Sequence, residues 1–422
     1  MWRHLIRFAI GAAVALLLVR AFVVEGLFLP QRIDSGSMAP ALLGPHHQRI
    51  CLDCRFQLQS DAVGGDAPAT ACPRCGSQIP SEPAVALPGR RVLIDRASWL
   101  VRPPRRFEIA AYRGEPGEPS PQVKRIVGLP DENIAIRGGD LFINGERLVK
   151  TLAEQRQIAI AVYDDQSGAL GDSPRPQWRA DSDSAWKRLA GGWRRAKQPA
   201  AADRLTTDWL ALHLPSGTTC LYDDYPYNVD LSRRLRCVDD LMLTCRIVCE
   251  GEGTLTIRIQ LAGHASLFNI HPQTGRLDVI ENSQVVAHSI SDSAAAAIRR
   301  LEAGAELTVS TFDGQLLLAI DDQIVFRAPL ARAEDDVAAG EPFALAAKGL
   351  EVLVRDLRLW RDIYYLPPPA GGFGDPAVEL PADGYFLLGD NSPVSRDCRD
   401  GAIGPYIRAN RLLGRVLAPP TW

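Results

Sequence analysis

The sequence predicts a mainly β protein with an N-terminal transmembrane helix, its β body interrupted by a small cysteine module and a larger β-sandwich. Three observations carry this reading. An apolar run opens the chain behind basic residues. Short alternating segments divided by turn residues fill most of the remaining chain. Two CxxC pairs interrupt the first part of that pattern.

At 422 residues the chain has room for two or three domains, since single cores rarely grow past about 250–300 residues. It is 46% hydrophobic and 23% charged with a formal net charge of −3. That balance is ordinary for a globular protein and gives no basic stripe for a nucleic-acid partner. The 35 glycines and 31 prolines fit a turn-rich β body.

Arg3, His4 and Arg7 precede or enter the apolar run, whose uncharged part is Phe8–Val19. Counted from Leu5 to Val24 it reaches the ~20 residues of a spanning helix. Arg7 and Arg20 then sit near its ends, where they can snorkel to the headgroups. Basic residues before the run place the N-terminus in the cytoplasm and the body outside. A cleaved secretory signal is the alternative, but Arg20, Phe22 and Glu25 occupy the places where a small-x-small site is needed. Both readings export the body. Residues 1–29 are thus read as the anchor.

In the segment 30–49, a Ser/Gly turn spans Asp34–Pro40. The cysteine insert occupies 50–84. Over 85–150, Arg91–Asp95 and Lys124–Leu129 read as strands, and Asn133–Ile136 pairs with Asp140–Gly145 through the Gly138–Gly139 turn. The large insertion is 151–380. Its stretch Ser173–Arg204 is polar, carries Trp178, Trp186 and Trp193, and reads as irregular or partly helical. From Leu241 onward short β runs recur between turns, with one helix at Ala294–Leu301, which predicts a β-sandwich. Residues 381–422 return to short strands around a Gly-Asp-Asn turn.

A serine-bearing turn and a lysine suit nucleophilic chemistry in combination. Ser35 and Ser37 stand a short way past the end of the apolar run, in the turn Ser35-Gly36-Ser37-Met38. A serine hydroxyl needs a neighbouring base to attack an amide carbonyl. Lys124 lies in an apolar strand with Val123, Ile126 and Val127. Burial can lower a lysine pKa by ~3–5 units and supply a neutral amine near pH 7. Alone, the turn reads as surface and Lys124, beside Arg125, as a solvated charge.

The segments IDSGSMAPALL, RVLIDR, VKRIVGLPDENIAI, GDLFINGERL and GYFLLGDNSPVSRDCRDGAIG stand in this order behind the anchor. In this the chain resembles bacterial type I signal (leader) peptidase, over 1–49, 90–150 and 383–422. The resemblance implies a β catalytic domain and a membrane-bound serine endopeptidase, active on the outer face of the cytoplasmic membrane through a Ser–Lys dyad. It makes Ser37 the nucleophile, Lys124 the general base, Ser35 an oxyanion-hole hydroxyl and Ser395 the serine that orients the lysine amine. Asp397 and Arg399 match a structural ion pair, and Gly389, Asp390 and Asn391 the turn that supports the site. The implied substrates are exported preproteins with small residues at −1 and −3, and catalysis needs no cofactor. Phe28, Met38 and Leu93 are candidates for lining the substrate pockets. Ala41, Asp131-Glu132, Pro393, Val394 and Cys398 depart from the family pattern without removing the nucleophile, base or oxyanion donor.

Cys51, Cys54, Cys72 and Cys75 form a CxxC–17–CxxC array with the knuckle spacing of a structural zinc site. Two disulfides are the alternative in an oxidising exterior. Cys220, Cys237, Cys245 and Cys249 read as buried thiols or disulfides, and Cys398 makes nine in all. Asp223, Asp224 and Asp240 read as loop carboxylates rather than calcium ligands. The end of the insertion resembles concanavalin-like (laminin-G-like) sandwiches, which leaves an envelope ligand for that domain open. Two other classes compete: an inactive membrane-anchored binding protein acting through the sandwich, and a self-cleaving Ser–Lys repressor relative. The intact Ser37, Lys124, Ser35 and Ser395 oppose the first; the anchor and the lack of a DNA-binding helical domain oppose the second.

Overall fold

A computed structural model describes residues 2–19, 25–53, 57–62, 67, 69–72, 77–83, 85–114, 117, 120–165, 177–198, 208–214, 220–229, 231–261, 264–281, 284–287, 291–330, 340–368, 372–373, 377–401 and 403–417. The chain is mainly β, and its strand pairs are antiparallel throughout the described residues.

The opening apolar run is helical over Trp2–Val19, with Phe8, Leu16 and Leu17 exposed. Eighteen residues at ~1.5 Å each make about 27 Å, short of the ~30 Å hydrocarbon thickness. Among the described residues no helix is long and apolar enough to cross a membrane. The expected span ran on to Val24, and residues 20–24 lie outside those described.

The first body is a seven-stranded sheet in the order Phe28–Arg32, Arg91–Asp95, Leu412–Leu417, Ile109–Tyr112, Gln122–Gly128, Gly384–Leu388, Ile407–Arg408. Three separate stretches of sequence therefore meet in one sheet. Six of the seven residues of Gln122–Gly128 are buried, so this strand is covered on both faces rather than half-solvated. A second sheet joins Glu146–Arg147, Asp140–Ile143, Asn133–Arg137 and Val378–Glu379. Its hairpin turns through Gly138 and Gly139 at φ +59° and +95°, a conformation glycine adopts without a Cβ penalty.

The large insertion is a two-layer sandwich. One sheet has eight strands, centred on Glu351–Arg361 and Leu241–Glu250, and the facing sheet has seven, centred on Phe343–Lys348 and Thr254–Leu261. Their inward residues form one apolar core. The expected helix runs Asp292–Arg299, capped by Ser291. The Trp-bearing stretch differs from expectation. Its described part forms the strands Gln177–Ala180, Trp186–Leu189 and Gly192–Arg195, with Trp178, Trp186 and Trp193 buried in the sandwich core. Trp186–Leu189 and Gln177–Ala180 end their sheets, and edge strands carry charge that hides their alternation.

The insertion is not merely tethered to the first body. Its Ile158, Ile160, Tyr225, Ile363 and Tyr365 share a buried core with Ile126, Phe386 and Leu387 of the seven-stranded sheet. Leu152–Ile158 is a helix with a Thr151/Glu154 capping box. Between the bodies the Lys150 ammonium is buried against Asp313 and, at 2.9 Å, Asp362.

Cys51 and Cys72 are buried in one small cluster with Leu58 and Ile79. Cys51 follows the strand His46–Ile50, which pairs with Gln57–Asp61. Cys72 follows Thr70–Ala71, which pairs with Gln78–Ile79. Each CxxC thus falls in a hairpin connection, the knuckle position. Cys54 and Cys75 lie outside the described residues. Cys220 and Cys237 form a disulfide, whereas Cys245 and Cys249 are buried thiols on one strand, the Cys249 thiol pushed up to about 12 by burial.

Candidate active site

The strand Gln122–Gly128 places Lys124 opposite Ala110 on the neighbouring strand Ile109–Tyr112. Ala110 is fully buried and Lys124 is 4% exposed. The nucleophile turn, Gly36–Met38, is a single 3₁₀ turn. It is fixed by Met38 and Leu42, which pack with Ile33, Val92, Ala111 and Val123. Lys124 and Ser37, 87 residues apart, meet here: Lys124 Nζ donates to Ser37 Oγ at 2.6 Å. Ser37 stays half-buried, so its hydroxyl is both positioned and reachable.

Burial lowers the Lys124 pKa to about 8, with the opposing charges of Asp397 and Arg399 acting in second and third place. An amine with that pKa is neutral in about one molecule in ten at pH 7, against roughly one in a few thousand for free lysine. Ser35 Oγ lies 3.2 Å from Ser37 Oγ. A cleft of about 130 Å³ opens beside them, lined by Ile33, Asp34, Met38 and, across from these, Pro121, Gln122 and Val123. Of the three expected pocket residues, Met38 lines this cleft, whereas Phe28 and Leu93 lie on the strands Phe28–Arg32 and Arg91–Asp95.

The Gly389–Arg399 segment closes over the back of the turn. Asn391 N–H donates to Ser37 O at 3.0 Å, and Asn391 Nδ2 donates to Gly36 O at 2.9 Å. Asp397 accepts two hydrogen bonds of 2.8 Å from the Arg399 guanidinium and one from Gly389 N–H. Burial opposes ionisation of Asp397, but Arg399 outweighs it and holds the carboxyl below its ordinary range. Gly389 must lack a side chain here, since a Cβ would lie 2.1 Å from Ser395 Oγ and 2.5 Å from Ser37 O. The expected hydrogen bond from Ser395 to the lysine amine is not formed. Ser395 Oγ is buried and makes no hydrogen bond to Lys124. It packs instead on Gly389 and stands close enough to Asp397 to favour its charge.

Asp390 forms a buried bidentate ion pair with Arg125, Nε to Oδ1 at 2.7 Å. Neither Lys124 nor the arginine beside it is a solvated charge. Side chains alternate along a strand, so with both faces covered Lys124 and Arg125 are each buried. The apolar residues on both sides of Lys124-Arg125 were the signal for this. Three more residues at the site had none: Tyr225, Tyr227 and Asn228 come from the large insertion. Asp223 pairs with Arg233 at 2.8 Å, as a loop carboxylate would. The carboxylates of Asp240, Asp140 and Asp313 lie within 4.8 Å of one another, with Lys150 on Asp313.

Comparison with known proteins adds the family. No curated protein matches the chain. Among solved structures the chain is similar to the carbohydrate-binding module CBM66 of Bacillus subtilis, at 12% identity and TM-score 0.26 over 43% of this chain and 92% of that one. It is similar to the botulinum neurotoxin serotype D binding domain at 10% identity and TM-score 0.30, over 49% and 48% of the two chains. It is similar to the galectin LEC-6 of Caenorhabditis elegans at 8% identity and TM-score 0.20, over 28% and 83%. At such scores these likenesses carry no weight about ligands. The family model described as "Signal peptidase, peptidase S26" matches residues 70–183, a stretch that includes Lys124 and its strand. Over residues 70–183 the chain is similar to the signal peptidases of the peptidase S26 family.

Proposed function

We propose that this protein is a membrane-anchored serine endopeptidase that removes N-terminal signal segments from exported preproteins, with Ser37 as nucleophile and Lys124 as general base. The observation that carries it is the 2.6 Å hydrogen bond between a buried, pKa-lowered lysine amine and a reachable serine hydroxyl. Neutral Lys124 takes the Ser37 proton as Oγ bonds to the scissile carbonyl carbon. The oxyanion forms beside the Ser35 hydroxyl, which donates to it. Collapse breaks the C–N bond, and the lysine ammonium returns its proton to the departing amine of the mature chain. Water, deprotonated by the same lysine, then hydrolyses the ester. An extended substrate would lie in the cleft between Asp34–Met38 and Pro121–Val123 as an added strand, with alternate small side chains directed inward.

The exposed apolar surface of Trp2–Val19 supports a membrane anchor, with the N-terminus cytoplasmic and the body on the outer face. We further propose a structural zinc ion held by Cys51, Cys54, Cys72 and Cys75, remote from the chemistry. The knuckle positions and the shared burial of Cys51 and Cys72 support it.

The test is cleavage of a preprotein with an Ala-x-Ala site by detergent-solubilised protein, with Ser37→Ala and Lys124→Ala in parallel. Cutting after the second alanine by the parent and by neither variant is expected. If the folded parent leaves the substrate intact, the peptidase reading is lost and the sandwich becomes the seat of function.

A further inference from the structure

We propose that the disulfide-closed loop of the large insertion is a positioning element for the nucleophile turn, with Asn228 acting through Asn391 on Ser37; this rests on the dyad reading above. The loop leaves the insertion at Cys220 and returns at Cys237, where the disulfide and the pairing of Leu221–Tyr222 with Cys237–Val238 close its base. Asp223 ties it across the middle, accepting from Arg233 Nη1 at 2.8 Å and from Arg236 N–H at 2.7 Å. What the loop presents is Tyr225, Tyr227 and Asn228, and all three touch the machinery of the site.

Tyr225 is buried under the Arg361 guanidinium, 4.7 Å from its ring centroid, and its hydroxyl donates to Asp390 O at 2.8 Å. Tyr227 lies flat against the nucleophile turn. A Cβ on Gly36 would stand 2.3 Å from Tyr227 Cε1, so the middle residue of Ser35-Gly36-Ser37 must be glycine while this tyrosine is there. The Tyr227 hydroxyl donates to Pro45 O at 2.9 Å, and its backbone carbonyl accepts from Asp61 N–H at 2.9 Å. The turn is therefore clamped from outside by the insertion and from inside by the core of Met38 and Leu42.

Asn228 and Asn391 exchange two amide hydrogen bonds, of 2.7 and 2.8 Å. The orientation of the pair is set by a third contact. Asn391 Nδ2 also donates to Gly36 O, so turning the amide over would put two oxygens face to face. Asn228 must then offer its oxygen to Asn391 Nδ2 and its nitrogen to Asn391 Oδ1. Asn391 holds Ser37 O through its own backbone N–H. Asn228 thus locks the rotamer of the residue that holds the turn, and the disulfide-closed loop holds Asn228.

The experiment uses the full chain in detergent and compares Asn228→Ala, Asn391→Ala and the double variant. Losing the paired bonds is expected to lower kcat about tenfold, with KM for the Ala-x-Ala preprotein changed less than about twofold. Because the two residues act as one unit, the double variant should lose no more than Asn391→Ala alone. Independent, multiplying losses would overturn the proposal, as would a kcat unchanged by Asn228→Ala. A second readout needs no cleavage: the pH dependence with which an amine-acylating reagent labels Lys124. A slackened turn admits water to the amine, so the labelling midpoint of Asn228→Ala should rise. An unchanged midpoint sinks the positioning role even if the parent cuts nothing; a raised midpoint in an inactive parent keeps it and loses only the peptidase reading. Should Asn228→Ala fail to fold, the neutral Asn228→Ser is too short to make both bonds to Asn391, and the same comparisons apply.

Discussion

Replacing Lys124 by methionine should abolish cleavage and make the first body more stable. Methionine fills the same unbranched volume without a charge. The lysine is 4% exposed, and burial lowers its pKa from 10.5 to about 8. A gap of about 2.5 pH units at ~1.36 kcal/mol each means the folded state bears about 3 kcal/mol for holding the ammonium form. The penalty is present in full below the folded pKa and is relieved as pH rises from about 8 towards 10.5, because only the folded state gives up its proton there. The lost hydrogen bond to Ser37 offsets about 1 kcal/mol. The variant should therefore be favoured by about 2 kcal/mol at pH 7, and by about 1 kcal/mol less at pH 9. Hydrogen exchange resolved to the strand Gln122–Gly128 reads this directly, as roughly 30-fold greater protection at pH 7 that shrinks at pH 9. Equal or lower protection of the variant at pH 7 would refute the claim that Lys124 is a desolvated, destabilising amine.

In the parent, kcat/KM should rise with pH through about 8 and level off as the lysine becomes neutral. Arg399→Met should move that limb to higher pH. It leaves the Asp397 charge uncompensated near the amine, and a nearby anion favours the ammonium; a limb that stays in place would show that Arg399 does not shield Lys124. Arg125→Met strands Asp390 as a buried unpaired carboxylate and should cost about 3–5 kcal/mol, read as a lowered unfolding midpoint that Asp390→Asn in the same chain partly restores. Metal analysis of protein purified without chelator should find about one zinc per chain. A strong chelator should release it and expose four reactive thiols while cleavage by Ser37 continues; disulfides in place of metal would leave none of these four to titrate.

The site was legible where chemistry is local and the fold where periodicity is regular. The Ser35–Met38 turn, the Lys124 strand and the Gly389–Arg399 segment each read as a local motif, and the fold brings the three together. The Asn133–Arg137 and Asp140–Ile143 hairpin announced itself through two glycines, both at positive φ. What escaped was everything decided by contact over long separations. Arg125 and Asp390 are 265 residues apart, and nothing within either segment says that both are buried. Asn228 and Asn391 are separated by 163 residues and by most of the sandwich strands. Trp186 and Trp193 looked irregular because the charged residues around them belong to a strand pair at the sheet end. Ser395 shows the opposite error. Its motif position implied a bond to the lysine amine, yet its hydroxyl lies against Gly389 and Asp397, so position in a motif did not fix the partner.

Charge pairing is the feature that separates Lys124 from its surroundings. Burying a cation is tolerated when a carboxylate compensates it. Arg125 has Asp390, Arg399 has Asp397, and Lys150 has Asp313 and Asp362. Lys124 is as buried as these three, but among the described residues it has no ion-pair partner, only the Ser37 hydroxyl. The carboxylate that could serve it, Asp397, is already held on both oxygens by Arg399. Lys124 is left with desolvation as its dominant influence, which is the condition under which a lysine can act as a base near neutral pH. The paired cations around the site hold the fold, and Lys124, held by a hydroxyl in place of a carboxylate, is the one able to accept a proton from serine.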